Sequence, residues 1–349
     1  MKINRSSVDL ISSLEQFNNG GECIEGFEVI DDVYVRFKFF DINLPLVIAF
    51  ANAHEVIPVD ETKNLVSPWG FDFLNRYEVN ILSFATIGTA TWYRSPMFHQ
   101  FLETIKPLLN FQDIYGYGGS MGGYAVGAFE TIFNYKKVLL LNPISTLNAD
   151  YSPWETRFRD AMRKYQWDNQ YYDGATSQTP GYIVYDNLFN LDRLHAERYS
   201  GLIHLHVPGV GHSIPAHLVN LNVLKNLFEQ FIYSSVNRTQ FYKGIRRRKL
   251  YTKYYEWLLS SQNTHLTPKR KAVIQKHYMA LMGYLGRAKE IKSLDSSFVF
   301  ALRDAALLIE DSNLALSYRL MKAASEMRPD GKFIQKKVEF YESQILKES

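Results

Sequence analysis

The run Ile114-Tyr-Gly-Tyr-Gly-Gly-Ser-Met-Gly-Gly-Tyr-Ala-Val-Gly127 restricts this chain more than any other stretch. A short apolar segment ends in glycines, Ser120 follows, and small residues then open a segment of helical character. That order predicts a strand, a tight turn and a helix, with the serine at the turn. A serine so placed is aimed outward rather than packed away. Gly118, Ser120 and Gly122 fit G-x-S-x-G, in which residues without a Cβ let strand and helix approach closely around a strained position. The N–H of Met121, at the start of the helix, then faces any oxyanion formed beside the serine.

The flanking sequence supplies a sheet for that strand. Phe27 to Ile30 and Val33 to Phe40 read as two strands around a turn at Asp31-Asp32, an antiparallel sheet edge. Leu46 to Phe50, Val79 to Phe84, Lys137 to Leu141, Gly181 to Tyr185 and Leu202 to Val207 are short apolar runs of the kind buried on both faces. Helices are expected at Phe71 to Arg76, Ser95 to Leu109, Met121 to Phe133, near Pro153 to Tyr165, and at Ile214 to Tyr233. The alternation predicts an α/β fold: a mostly parallel sheet with helices on both faces. Residues 142–180 interrupt the rhythm and are read as an insertion or lid. From about residue 236 to 349 the pattern is helical only, at roughly 238–260, 268–284, 297–310, 313–327 and 331–346. There Ala305, Ala306, Leu307, Ala315, Leu320, Ala323, Ala324 and Pro329 have the spacing of one degenerate tetratricopeptide-type helix pair. The expected division is therefore an α/β domain over 1–235 and a smaller all-α domain over 236–349.

At 349 residues the chain can bury a sizeable core. A charged fraction of 21% and an apolar fraction of 46% are ordinary for a globular protein, and a net charge of +3 argues against a surface built for nucleic acid. Cys23 is the only cysteine, which excludes an intrachain disulfide and a zinc site of several thiolates. The first ten residues lack an apolar signal core, and no segment approaches the roughly 18 apolar residues needed to span a bilayer. A cytoplasmic protein without a transmembrane segment is expected.

Two more groups complete a chemistry around Ser120. A serine hydroxyl is a weak nucleophile at neutral pH and needs a base in reach, with a carboxylate to hold that base in one tautomer. Asp186 directly follows the strand ending at Tyr185, and His212 follows the last strand in Val207-Pro-Gly-Val-Gly-His-Ser213. Asp192 is the alternative acid, or else a helix N-cap. With the motif, strand alternation and the chain order Ser, Asp, His together, the sequence over about residues 25 to 233 resembles the α/β-hydrolase superfamily. The resemblance implies a serine esterase or deacylase with Ser120 as nucleophile, His212 as base and Asp186 as orienting acid. It implies oxyanion donors at Met121 and in the loop after Phe50, where Asn52 or Ala53 is the candidate in place of the His-Gly-Gly-Gly run of many lipases. No metal or organic cofactor is implied.

Substrate-binding candidates are His54, Trp92, Tyr93 and Trp154. His54 either lines the site or faces solvent, and Trp92-Tyr93 either contacts substrate at the sheet edge or packs. The insertion's Tyr151, Trp154, Tyr165, Trp167, Tyr171 and Tyr172 can stack on sugars, cover an acyl chain or pack the lid. An O-acyl group on a glycan or glycan precursor is one expected substrate. Acyl transfer by the same triad, or a non-catalytic adaptor acting through the helical domain, are the competing expectations, and a protein partner or homo-oligomer would use residues 236–349. His195, His204 and His206 are read as structural or solvent-facing. A glycine loop for nucleotide phosphates is excluded, since no Gly-Lys-Ser/Thr follows at the required spacing. Arg246-Arg-Arg-Lys249 is the one concentrated basic run, either a solvated helix face or a grip for a polyanion, a phosphorylated carrier or a membrane surface.

Overall fold

The computed structural model describes residues 9–260, 266–286 and 298–348. The first eight residues, read above for a targeting segment, lie outside that range. The chain divides into two compact units, Met1–Pro208 and Gly209–Ser349.

The first unit holds one sheet. It starts with α1 (Leu10–Asn18), β1 (Ile24–Ile30), β2 (Val33–Phe39), β3 (Leu46–Phe50), α2 (Phe71–Leu74) and β4 (Asn80–Thr86). It continues through α3 (Pro96–Ile105), β5 (Ile114–Gly119), α4 (Met121–Ala128), α5 (Glu130–Phe133), β6 (Lys137–Leu141), α6 (Arg159–Lys164), β7 (Gly181–Tyr185), α7 (Asn190–Ala196) and β8 (Leu202–His206). The strand order is β1-β2-β4-β3-β5-β6-β7-β8, with β2 antiparallel to both neighbours and every other pairing parallel. Asp31, at φ 52°, makes the turn between β1 and β2.

Two-residue periodicity sends alternate side chains to opposite faces. Val33, Val35, Phe37 and Phe39 of β2 and Leu46, Ile48 and Phe50 of β3 join the core that α1, α3 and α4 cover. Tyr34 and Ala85 join a second cluster with Phe27, Ala51 and Ile57, closed by Leu65, Val66 and Trp69. On that side Tyr117 of β5 stacks on Trp69, 5.0 Å between centroids. Both faces are therefore apolar, which is why the strands read as continuous hydrophobic runs.

Several elements differ from the sequence expectation. The polar start contains α1, capped by the Asp9 carboxylate on the N–H groups of Ile11 and Ser12 and anchored by Leu10, Leu14 and Phe17. The helix after Ser120 breaks at Phe129, which caps α4 and starts α5. The expected helix over Pro153–Tyr165 shrinks to α6; before it the chain turns to place Glu155 and Arg157 against α7.

The second unit is helical: α8 (Ile214–Asn220), α9 (Leu224–Tyr233), α10 (Arg238–Ile245), α11 (Thr252–Leu259), α12 (Pro268–Gly286), α13 (Val299–Leu308), α14 (Leu314–Met327) and α15 (Lys332–Glu348). The expected single helix Ile214 to Tyr233 is two, because Asn222 adopts φ 54° between them. Ala305 and Ala306 of α13 and Ala324 of α14 permit close helix approach, and Leu302, Leu320, Met321, Ile334 and Tyr341 fill the space around them. Asn313 caps α14 through the N–H of Leu316. No described helix is long and apolar enough to cross a membrane. The basic run Arg246–Lys249 lies in a 3₁₀ turn, where Arg248 hydrogen-bonds the Ile245 carbonyl and lies 5.4 Å over the Tyr254 ring.

Candidate functional site

Parallel pairing puts the C-terminal ends of β3, β5, β6, β7 and β8 along one sheet edge: Phe50 is opposite Gly118, Gly119 opposite Leu141, Leu141 opposite Val184, and Tyr185 opposite His206. Open α/β sheets present their chemistry at this edge.

Ser120 sits there at φ 53° and ψ −117°, a left-handed conformation that costs a non-glycine residue about 1–3 kcal/mol and persists only when its surroundings enforce it. The enforcing contacts can be named. The N–H of Ser120 donates to the Leu141 carbonyl at 2.9 Å, and its own carbonyl accepts from Ile144 at 3.1 Å and from Tyr124 at 3.1 Å. A Cβ on Gly118 would lie 2.4 Å from the Gly122 carbonyl oxygen, and one on Gly122 would lie 2.0 Å from that of Phe50. Neither position tolerates a side chain without moving backbone. Ser120 is buried at 8% exposure, against the expectation of a serine aimed outward.

Met121 opens α4, so its N–H lacks an intrahelical acceptor. Because β3 is the neighbour of β5, Asn52 and Ala53 emerge next to this turn. Asn52 is held in a turn of its own, its side-chain oxygen accepting from His54 N–H at 2.9 Å and its carbonyl from Glu55 at 3.2 Å. His54 is exposed.

The two acid candidates differ. Asp186 is fully buried at the end of β7, its carboxylate accepting from Leu188 N–H at 2.9 Å. Asp192 is also fully buried but lies inside the first turn of α7, whose N-cap is Phe189, so Asp192 is not a cap. Its carboxylate takes Arg157 Nη1 at 2.9 Å.

Arg157 leads into a buried polar cluster that the sequence reading missed. It also pairs with Glu155, Nη2 to Oε2 at 2.6 Å. Glu155 faces His195 Nε2 at 2.9 Å, and His195 Nδ1 lies 2.8 Å from Ser145 Oγ and 3.1 Å from Ser145 N. A backbone N–H can only donate, so Nδ1 is an acceptor and the proton of the neutral ring is on Nε2, directed at Glu155. Burial lowers the His195 pKa against the pull of Glu155. Burial alone would raise Glu155, but the hydrogen bonds from His195 and Arg157 outweigh it and bring the acid to about 2. Arg198 closes the cluster, donating to Ser145 Oγ at 2.7 Å and pairing with Asp173. Serine, histidine and carboxylate here have relay geometry, yet Ser145 and His195 are 0% exposed. The sequence held one signal of it: Asp192, His195 and Arg198 recur every third residue.

Trp92 and Tyr93, read above as either substrate contacts or packing residues, are packed at 1% and 0% exposure. Tyr93 OH donates between the carbonyls of Ala51 (3.0 Å) and Phe84 (3.1 Å), while Trp92 packs on Phe158 and Trp167. Arg94 beside them holds the insertion through the carbonyls of Gln166, Gln170 and Tyr171 and donates to Tyr124 OH. Trp167 and Tyr171 are accordingly buried, whereas Tyr151 is 45% exposed with its ring 5.6 Å from that of Tyr172. Trp154 is half-buried, edge-on to His195, and its Nε1 has no hydrogen-bond partner among the described residues.

His212 belongs to the second unit. It is half-buried in a loop bent by Gly209 (φ 81°) and Gly211 (φ 65°). A Cβ on Gly211 would strike the Trp257 indole at 2.4 Å, so glycine is required both by the backbone angle and by this packing. His204 and His206, on β8, both lie 3.1 Å from Tyr185 OH, a structural ladder. Among the described residues no group of three or more His, Cys, Asp or Glu is placed to hold a metal ion.

The strand order, the one antiparallel strand inside an otherwise parallel run and the strained serine between β5 and α4 define a fold of the α/β-hydrolase type. No family model and no curated protein matches the chain. Among solved structures it is similar to the capsule O-acetyltransferase of Neisseria meningitidis serogroup A, at 18% identity over 59% of this chain and 93% of that one, TM-score 0.39. It is also similar to an esterase of Pyrobaculum calidifontis, at 12% identity over 71% and 95%, TM-score 0.39. A glycosylation-associated protein complex from Streptococcus agalactiae aligns at 14% identity over 62% of this chain and only 48% of that one, TM-score 0.41.

Proposed function

We propose that this chain is a serine acyl-ester hydrolase. The observation that carries the reading is Ser120, held at φ 53° at the C-terminal sheet edge by contacts that exclude a side chain at Gly118 and Gly122. Such strain persists where surrounding structure imposes it and is characteristic of functional positions.

In the proposed reaction Ser120 Oγ attacks the acyl carbonyl while His212 takes its proton, and Asp186 orients the imidazole and stabilises its charged form. The oxyanion accepts hydrogen bonds from the N–H of Met121 and of Asn52 or Ala53. His212 then protonates the departing alcohol, and a water activated by the same base releases the acid and restores Ser120. Asp186 is preferred to Asp192 because Asp192 already neutralises Arg157. Of the insertion's aromatic residues, the exposed Tyr151 and the neighbouring Tyr172 are the ones we assign to a sugar carrying the O-acyl group. The domain reading that goes with this keeps catalysis in residues 1–235 and assigns any protein partner to residues 236–349.

Labelling with a fluorophosphonate tests the reading. Wild type should label; Ser120→Ala should not, and His212→Ala and Asp186→Asn should label far more slowly. Label that persists in Ser120→Ala sinks it. Acyl transfer would appear as ester consumption that needs an added alcohol or amine, and a protein that never labels but holds a stoichiometric partner is an adaptor.

A further inference from the structure

We propose that Ser145, His195 and Glu155 are positioning residues for Ser120: together they clamp the loop after β6, whose Ile144 N–H holds the Ser120 carbonyl. The proposal rests on the reading of Ser120 as the nucleophile.

The geometry is continuous from the turn outward. Ile144 donates to the carbonyl of Ser120 at 3.1 Å. The next residue, Ser145, is fixed at every polar atom. Its N–H and Oγ address His195 Nδ1 at 3.1 and 2.8 Å, its Oγ accepts Arg198 Nη1 at 2.7 Å, and its carbonyl accepts Gly174 N–H at 2.8 Å. His195 in turn is fixed by Glu155 at 2.9 Å, and Glu155 by Arg157, which Asp192 anchors to α7.

Two further contacts tie Pro143 of that loop, and Gly174 that holds the Ser145 carbonyl, to the helix behind the serine. A Cβ on Gly123 would lie 2.6 Å from that of Pro143, and one on Gly127 would lie 2.2 Å from the Gly174 carbonyl oxygen. The loop therefore has one side on the nucleophile turn and helix and the other on a buried ionic cluster. Burying carboxylates, guanidinium groups and an imidazole is an expensive way to gain stability alone. Fixing a strained serine to within a fraction of an ångström is a use for which such rigidity is suited, since small misplacements of a nucleophile cost large factors in rate. Ser145 itself has no access to an ester, being 0% exposed.

The test uses the full chain with Ser145→Ala, His195→Leu, His195→Gln and Glu155→Gln. The glutamine at 195 keeps an acceptor for Ser145 and a donor for Glu155. Fluorophosphonate inactivation separates the maximal rate kinact from the affinity KI, and amide hydrogen exchange reads Ile144 directly. In Ser145→Ala and His195→Leu, kinact should fall about tenfold or more with KI within about twofold, and Ile144 exchange should quicken while β2 amides stay as in wild type. His195→Gln should recover part of both. Ser145→Ala removes one hydroxyl and keeps the readout should His195→Leu not fold. A kinact within about twofold of wild type in the folded variants overturns the proposal, as does unchanged Ile144 exchange, whatever the change in Tm. Wild type that exchanges as described but does not label sinks the hydrolase reading instead, and the exchange data still decide the clamp.

Discussion

Ser120 and Ser145 stand at the two ends of one hydrogen-bonded path, and they have been given opposite surroundings. Ser120 has the strained backbone and a position at the sheet edge, buried at 8% exposure; Ser145 has a histidine, a carboxylate behind it and a guanidinium on its oxygen, and 0% exposure. A search for serine, histidine and acid within hydrogen-bond reach would select Ser145. Backbone strain and position on the sheet select Ser120. The contrast teaches that relay geometry by itself can describe a well-satisfied buried cluster, and that backbone strain and place on the sheet are what favour Ser120 as the proposed nucleophile.

The contrast can be broken most sharply at the serines. Ser120→Ala should lower ester hydrolysis by about 10³-fold or more, whereas Ser145→Ala should retain covalent labelling; equal loss in both, measured as rate per folded molecule, would erase the distinction. The acids give the next largest effect. Asp186→Asn should slow hydrolysis by roughly 10³–10⁴-fold, while Asp192→Asn, which leaves Arg157 short of a carboxylate, should show itself mainly as about 3 kcal/mol of lost stability in urea unfolding.

Glycines extend the same comparison to the backbone. Gly122→Ala, with its new methyl 2.0 Å from the Phe50 carbonyl oxygen, should cost about 3 kcal/mol or more or prevent folding. Gly283→Ala, in α12 with nothing within 4 Å, should stabilise by about 0.5–1 kcal/mol. Thermal denaturation of both variants checks the pair.

The smallest effects are pH dependences. The Glu155 carboxyl is depressed from 4.5 to about 2, so its contribution is complete above the unfolded value and is lost as pH falls from about 4.5 to about 2. Glu155→Gln should remove that part of the acid sensitivity. His99, half-buried against the Tyr93 carbonyl, is lowered from 6.5 to about 4, chiefly by burial. The fold prefers its neutral ring, so stability is complete above 6.5 and declines as pH falls through that window. His99→Gln should flatten the slope between about pH 6.5 and 4 and leave the lower window unchanged.

The sheet was legible because its strands are covered on both faces. Leu46–Phe50, Lys137–Leu141 and Gly181–Tyr185 begin and end where their apolar runs do. The glycine-flanked serine was legible because only small residues fit that turn. Features set by contacts between distant segments were not. The helix Leu10–Asn18 forms because Leu10, Leu14 and Phe17 find a core, although the stretch reads as polar. Trp92 and Tyr93 look like edge aromatics until Phe158 and Trp167 are seen to cover Trp92 and two carbonyls to hold Tyr93. The cluster of Ser145, Glu155, Arg157, Asp192 and His195 spans so much sequence that the spacing of Asp192, His195 and Arg198 was its single local trace. Asp192 was weighed as an acid or a cap when its observed partner is an arginine thirty-five positions earlier.

Arg94 and the clamp at Ser145 have a consequence for the order in which the chain can be completed. During synthesis from the N-terminus, β5, Ser120 and α4 emerge before the carbonyls of Gln166, Gln170 and Tyr171 that receive Arg94, and His195 and Arg198 emerge later still. The turn that carries the serine is thus made early and secured last, so a nascent chain stopped short of residue 198 would display Ser120 without the grip that aims it.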